Sequence, residues 1–244
     1  MDIIMIMNMN MNDEACHLPP RVLLKLQSWL SPAFPSGAYG YSHSIERAND
    51  AGYIDDRRGL VDWLEADLCY GSGRNEAIFF REAWRCTKDD DPTSLAEVAE
   101  LASAFRGTSE FALESSQQAA AVLTTLRQVW PDPALDRLSE TLAECQIRPT
   151  LSVVLGVRSA REDLPASLAL PAFLQSYIAN LVSAGVRLIP LGQTDGQLAI
   201  AELEDAVLAV SALEHTLDDL GSAAFMVDLA SMEHETQYTR LFRS

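Results

Sequence analysis

The stretch PASLALPAFLQSYIANLVSAGVRL, residues 165–188, is almost apolar all round. A helix that is apolar all round is buried in the middle of a domain or in an interface, because water has no face to take. The stretch TLSVVLGVRSARED, residues 150–163, is nearly as apolar. Two such segments require amphipathic partners to cover them. Pro171 within the first of them is expected near a helix start or at a kink, since proline cannot donate to the helical ladder.

The covering helices are legible by period. RVLLKLQSWL puts Val22, Leu23, Leu26, Trp29 and Leu30 on one face. YSHSIERANDAG reads as a short helix ended by Gly52. DDRRGLVDWLEADLCYGSG turns Leu60, Val61, Leu64 and Leu68 inward, and RNEAIFFREAWRC does so with Ile78, Phe79 and Ala83. DDDP, residues 89–92, is a turn, after which Ser94 and Glu97 have the spacing of a capping box. SEFALESSQQAAAVLTTLRQVW is one long helix. Asp132 and Pro133 suit the cap and first position of the next. IPLGQTDG is a second Pro/Gly turn, with Thr194 and Gln197 as another capping box before one helix over QLAIAELEDAVLAVSALEH. DDLGSAAFMVDLASMEHETQ is the last. No alternating run bounded by hairpin turns occurs, so strands are not expected. The expectation is one all-α, bundle-like domain of about ten helices over residues 19–236. A Met-rich disordered leader, 1–18, precedes it and a partner-binding tail, 237–244, follows.

The charge narrows the partners. Lys and Arg number 18 against 35 Asp and Glu, a net charge of −17. Such a field repels a phosphate backbone, so nucleic acid is an unsuitable partner, and an anionic membrane is disfavoured likewise. A basic protein or a cation is the complement. The four cysteines are widely spaced with no C-x-x-C, which spells neither zinc site nor redox pair and fits a reducing compartment. The N-terminus lacks a basic region before Arg21, unlike a signal peptide, and no run reaches membrane-spanning length. A cytoplasmic location is expected.

Candidate chemistry is thin. Ser42 and His43 invite a Ser–His nucleophile, yet adjacent helical residues point about 100° apart, and no G-x-S-x-G elbow surrounds them. A capping serine and a surface histidine are the simpler expectation. His43 with Glu46 is half a metal site at best, and Glu233, His234 and Glu235 read as a solvated helix surface. The acidic clusters at Asp55–Asp56 and Asp89–Asp91 lie in turns. Neither a catalytic residue nor a metal site is expected. What stands out is an aromatic Pro/Gly loop, SPAFPSGAYGYSHSIE, and an aromatic-basic tail, HETQYTRLFRS, whose Tyr, Phe and Arg are typical interface anchors. The tail either docks on a partner or folds back on its own domain.

Three stretches together resemble the UreF family of urease accessory proteins. FPSGAYGYSHSIE is similar to its first signature, VRLIPLGQTDGQ to its second, and MEHETQYTRLFRS to its C-terminal one. The match runs over essentially the whole chain after Leu18. The resemblance implies an all-helical, non-enzymatic nickel-insertion chaperone that forms a homodimer and binds UreD (also called UreH). It would recruit the GTPase UreG, bear on its GTPase cycle, and engage apo-urease, with nickel as cargo and no tightly bound cofactor. It also implies roles in partner recruitment for Tyr39, Ser42 and Glu46 in the loop and Arg240 in the tail. Gln237, Tyr238, Leu241 and Phe242 would order on UreD. Two departures stand out: Ser44 where the signature commonly has Gly, and Leu198 where Arg or Lys is usual. The rival expectations are a free-standing nickel store or donor, and a hydrolase built on Ser42 and His43.

Overall fold

A computed structural model describes residues 18–244; the expected leader, with Cys16 and His17, lies outside the described residues except for Leu18. The described chain forms twelve α-helices: α1 Pro20–Trp29, α2 Ile45–Asp50, α3 Arg57–Tyr70, α4 Ser72–Lys88, α5 Pro92–Ala104, α6 Ser109–Val129, α7 Pro133–Glu144, α8 Leu151–Arg161, α9 Ala166–Leu188, α10 Gln193–Glu202, α11 Glu204–Ala212 and α12 Phe225–His234. Two 3₁₀ turns, Ala38–Gly40 and Leu217–Asp219, complete it, and no strand occurs among the described residues. The fold is all-α.

The apolar segment is α9, and α2, α3, α4, α8, α10 and α11 pack against it. Leu170, Phe173, Leu174, Ile178, Leu181 and Val182 are all buried. By length and composition α9 is long and apolar enough to cross a membrane, which corrects the expectation that no run reaches that length. Here it serves as a central core helix, half buried along its length, with a mostly apolar composition because six other helices pack on it. Pro171 sits in its second turn without ending it. The second apolar helix, α8, lies flat against α4. Gly156 makes this approach possible: a Cβ there would stand 2.5 Å from the Phe80 carbonyl oxygen.

The helix ends obey local chemistry, with three corrections. Asp132 caps α7 as expected, accepting from the Ala134 N–H, and Asp56, read as a turn residue, caps α3 by accepting from the Gly59 N–H. At α5, Asp91 rather than Ser94 is the cap, because Pro92 takes the first helical position and Ser94 N–H donates back to Asp91 at 3.0 Å. At α10 the carboxylate of Asp195 accepts from Gly192 N–H, so Thr194 and Gln197 form no box. The single helix expected over residues 197–215 breaks at Leu203, which is buried, and resumes as α11.

Candidate functional site

The aromatic loop between α1 and α2 is pinned by its apolar members. Phe34 is buried and stacks on Trp130, and Ile45 is fully buried at the start of α2. Gly37 supplies a left-handed turn (φ 75°), after which Ala38–Gly40 lifts Tyr39 to the surface, 71% exposed. Tyr41 turns inward and donates to Gln117 Oε1 at 2.5 Å. His43 and Ser44 then both take positive φ, 51° and 74°.

The tail folds back onto this loop. Arg243 N–H donates to the Gly40 carbonyl at 2.9 Å, and Ser42 N–H to the Ser244 main-chain oxygen at 2.8 Å. Ser42 Oγ donates to the same oxygen at 2.5 Å and accepts from Glu46 N–H at 3.3 Å, so Ser42 caps the first turn of α2. Phe242 is buried. The Arg187 guanidinium lies 3.8 Å over the Tyr39 ring and 4.4 Å over the Phe242 ring, and also donates to the Tyr39 carbonyl at 2.9 Å. Loop and tail are thus one surface with a shared cation between its aromatics.

Beneath this surface is a layer of buried ionisable groups. Glu46 Oε1 accepts from Leu241 N–H at 2.6 Å, and its Oε2 accepts from Phe242 N–H at 2.9 Å. His234 stands between Glu46 and Glu110, 3.1 and 2.8 Å away. Glu110 also accepts from Arg240 at 3.0 Å. One turn along α6, Glu114 meets His43 Nδ1 at 3.1 Å and accepts from Ser244 Oγ at 2.9 Å. His43 stacks on Phe111, centroids 4.0 Å apart, and Asp67 lies 3.9 Å from its Nε2. Burial alone would lower the His43 pKa, but Glu114, then Asp67 and Glu76, outweigh it and the net direction is up. Burial raises Asp67 despite His43 and its hydrogen bond from Tyr177, and raises Glu110 despite His234 and Arg240. The Tyr177 phenol is pushed well above its ordinary range, by burial first and then by Asp67.

These positions correct several expectations. His43 is a buried residue, not a surface one, and its ring is turned to Glu114 rather than to Ser42. It shares no helical face with Glu46, because α2 begins only at Ile45. His234 is fully buried, not part of a solvated helix surface. The tail is folded back on its own body: Glu46 accepts from the Leu241 and Phe242 amides and Phe242 is buried. Of the residues singled out in the sequence, Tyr39, Ser42, Glu46, Arg240, Leu241 and Phe242 converge. Tyr238 is fully exposed, and Gln237 Nε2 donates only locally, to the Thr239 carbonyl.

A cavity of about 440 Å³ opens beside the loop, walled by Trp29, Phe34 and Phe173, with Glu114, Gln118 and Asn180 among its polar members. Among the described residues no three His, Cys, Asp or Glu side chains are grouped as a metal site. The arrangement offers surface and charge rather than a nucleophile with its base.

Comparison with known proteins decides the family. The UreF family model matches residues 54–204. Curated proteins named urease accessory protein UreF align over nearly the full length: the Bradyrhizobium diazoefficiens protein is 47% identical across 91% of both chains, and the Rhodopseudomonas palustris protein 46% across 91% of both. The Xanthobacter autotrophicus protein is 45% identical across 92% of both. The chain belongs to the UreF family. As a UreF it carries Ser44 at φ 74° where the signature commonly has Gly, the residue that position's left-handed backbone favours. Leu198, the other departure, is 44% exposed on α10.

Sequence reasoning missed Glu110, Glu114 and Arg187. The first two had a signal: with Gln118 they are spaced four apart, in phase with buried Phe111 and Val122 on α6. Polar groups on the buried stripe of a helix announce partners to be found. Arg187 had none, since its role depends on two rings distant in sequence.

Proposed function

We propose that this UreF acts as a non-enzymatic adaptor in urease maturation. It forms a homodimer, docks UreD (UreH) and recruits the GTPase UreG to apo-urease, with nickel as the cargo of the assembly. The observation that carries this reading is the joint surface of loop and tail. Tyr39, Leu241 and Tyr238 are exposed on a support in which Ser42 and Glu46 tie loop to tail through buried hydrogen bonds. Exposed aromatic and apolar side chains on a rigid base are what a protein interface uses as anchors. The chain's net charge of −17 favours basic partners and draws divalent cations without a dedicated cage.

Exposed positions are the clean probes, because deleting the tail would strip Glu46, Glu110 and Glu114 of their donors in the tail. Tyr39→Ala and Leu241→Ala are expected to leave the helical signal and the unfolding midpoint near wild type. Both should weaken co-elution with co-expressed UreD and UreG in size-exclusion chromatography with light scattering. Unchanged complexes for both variants would overturn the docking role. Tight stoichiometric nickel binding by the isolated chain in equilibrium dialysis would favour a nickel store instead.

A further inference from the structure

In a chain with 35 acidic residues against 18 basic ones, a pocket of about 200 Å³ has no carboxylate in its wall. It lies where the turn between α5 and α6, the side of α6 and the segment leading into α8 meet. Ser103, Arg106, Ser115, Arg148 and Thr150 supply its polar lining, with Gln146. Three of its polar atoms, Arg106 Nη2, Ser115 Oγ and Thr150 Oγ1, are buried and have no hydrogen-bond partner. Buried polar groups are normally paired. A guanidinium N–H can only donate and a hydroxyl can donate, so one acceptor-rich group would satisfy all three. We infer that this pocket binds a phosphate group.

The donors are held in place before any ligand arrives. Arg106 is fixed by its other two nitrogens: Nε donates to the Ala102 carbonyl at 3.0 Å and Nη1 pairs with Glu76. Nη2 is the corner left over. Thr150 stands at the N-cap of α8 and is 3% exposed, yet its hydroxyl does not cap that helix. The first-turn N–H groups of a helix have no partner inside it and carry the positive end of its dipole, a setting that favours an anion. Arg148 is exposed and enters no ion pair among the described residues, so its charge is available at the mouth. The donors come from three separate elements. They converge from different directions, which suits a tetrahedral oxyanion better than a flat carboxylate with two oxygens. Arg106 and Ser115 also border an inner cavity of about 50 Å³, walled by Glu76 and Glu114. Two carboxylates there repel an anion, which confines it to the outer pocket.

The site is independent of the docking surface, and its test needs no partner. Inorganic phosphate would be titrated into the full chain by calorimetry, in an amine buffer at constant ionic strength. One saturable site per chain is expected, with a millimolar or tighter dissociation constant. Phosphate also stabilises folded proteins by exclusion from their surfaces, so variants decide rather than a thermal shift. Thr150→Val keeps the side-chain shape and removes a donor, and Arg148→Ala removes the charge at the mouth. Each should weaken binding by about five-fold or more. Arg58→Ala removes an equal charge from a side chain 89% exposed elsewhere and should leave the affinity as in wild type. Absent binding overturns the site. So does binding that Thr150→Val leaves unaltered and that Arg148→Ala and Arg58→Ala weaken equally, which would mean an adventitious ion only. If Thr150→Val fails to fold, amide shifts of the wild type during the titration decide. Changes that saturate at Arg106, Thr150 and Leu151 support the pocket, and changes spread over the basic surface overturn it. O-phosphoserine titrated alongside separates the sources of the group: tighter binding than inorganic phosphate assigns the pocket to a phosphorylated side chain, weaker binding to the free ion.

Discussion

At the scale of single residues, the turn into α2 holds two consecutive non-glycine residues at positive φ, His43 at 51° and Ser44 at 74°. Each L-residue there costs about 1 kcal/mol. His43 has compensation in its stacking on Phe111 and its bond to Glu114. Ser44 has none: its side chain is fully buried and its Oγ finds no partner. Ser44→Gly is therefore expected to raise stability by about 1 kcal/mol, read as a higher urea midpoint at unchanged slope. A lowered midpoint would show that Ser44 has a partner, such as an ordered water, that outweighs its strain. The sequence alone marked this position as a departure from the family signature, because Ser replaces Gly. It did not reveal why Gly is usual there, since the sign of φ is set by how the loop returns to Glu46 and the tail.

At the scale of elements, α4 and α8 pack directly against each other, with Gly156 at the contact. A methyl group at 156 meets main chain, the Phe80 carbonyl at 2.5 Å, which cannot rotate away as a side chain would. Gly156→Ala should cost about 2 kcal/mol or more and broaden tryptophan or near-UV signals of the core before helicity is lost. Stability within a few tenths of wild type would mean that the two helices slide apart freely. The number and place of most helices were legible because amphipathic period and capping chemistry are local. The splits and edges were less so. The break at Leu203 has no proline or glycine to announce it; burial of Leu203 against the body imposes it. The folded-back tail was equally open in the sequence, because aromatic and basic residues suit a partner's surface and the chain's own body alike. Glu46 decides it, and its tail contacts span 195 and 196 residues.

At the scale of the whole molecule, the buried ionisable layer makes folding a proton-consuming step. His43 is shifted up by Glu114, Asp67 and Glu76 against the pull of burial, so its contribution is full below about pH 6.5 and is lost as pH rises through the folded value. Asp67 and Glu110 are shifted up chiefly by burial, so the cost of ionising them begins at the ordinary carboxylate pKa of about 4 and is complete once pH passes their folded values. Both effects have the same sign, and the urea midpoint should fall as pH is raised from about 6 to about 9. His43→Gln should flatten that slope; a midpoint that rises with pH would contradict the assignment. One further consequence follows from the hydrogen bond between Ser42 and Ser244, groups 202 positions apart in the chain. The surface that loop and tail share has no local precursor. It exists only after the intervening helices have docked and brought its halves together, so a half-folded molecule shows nothing for a partner to grip. On the proposed docking role, recognition of that surface would also be an inspection of the finished fold, and defective copies would be passed over without any separate sensor.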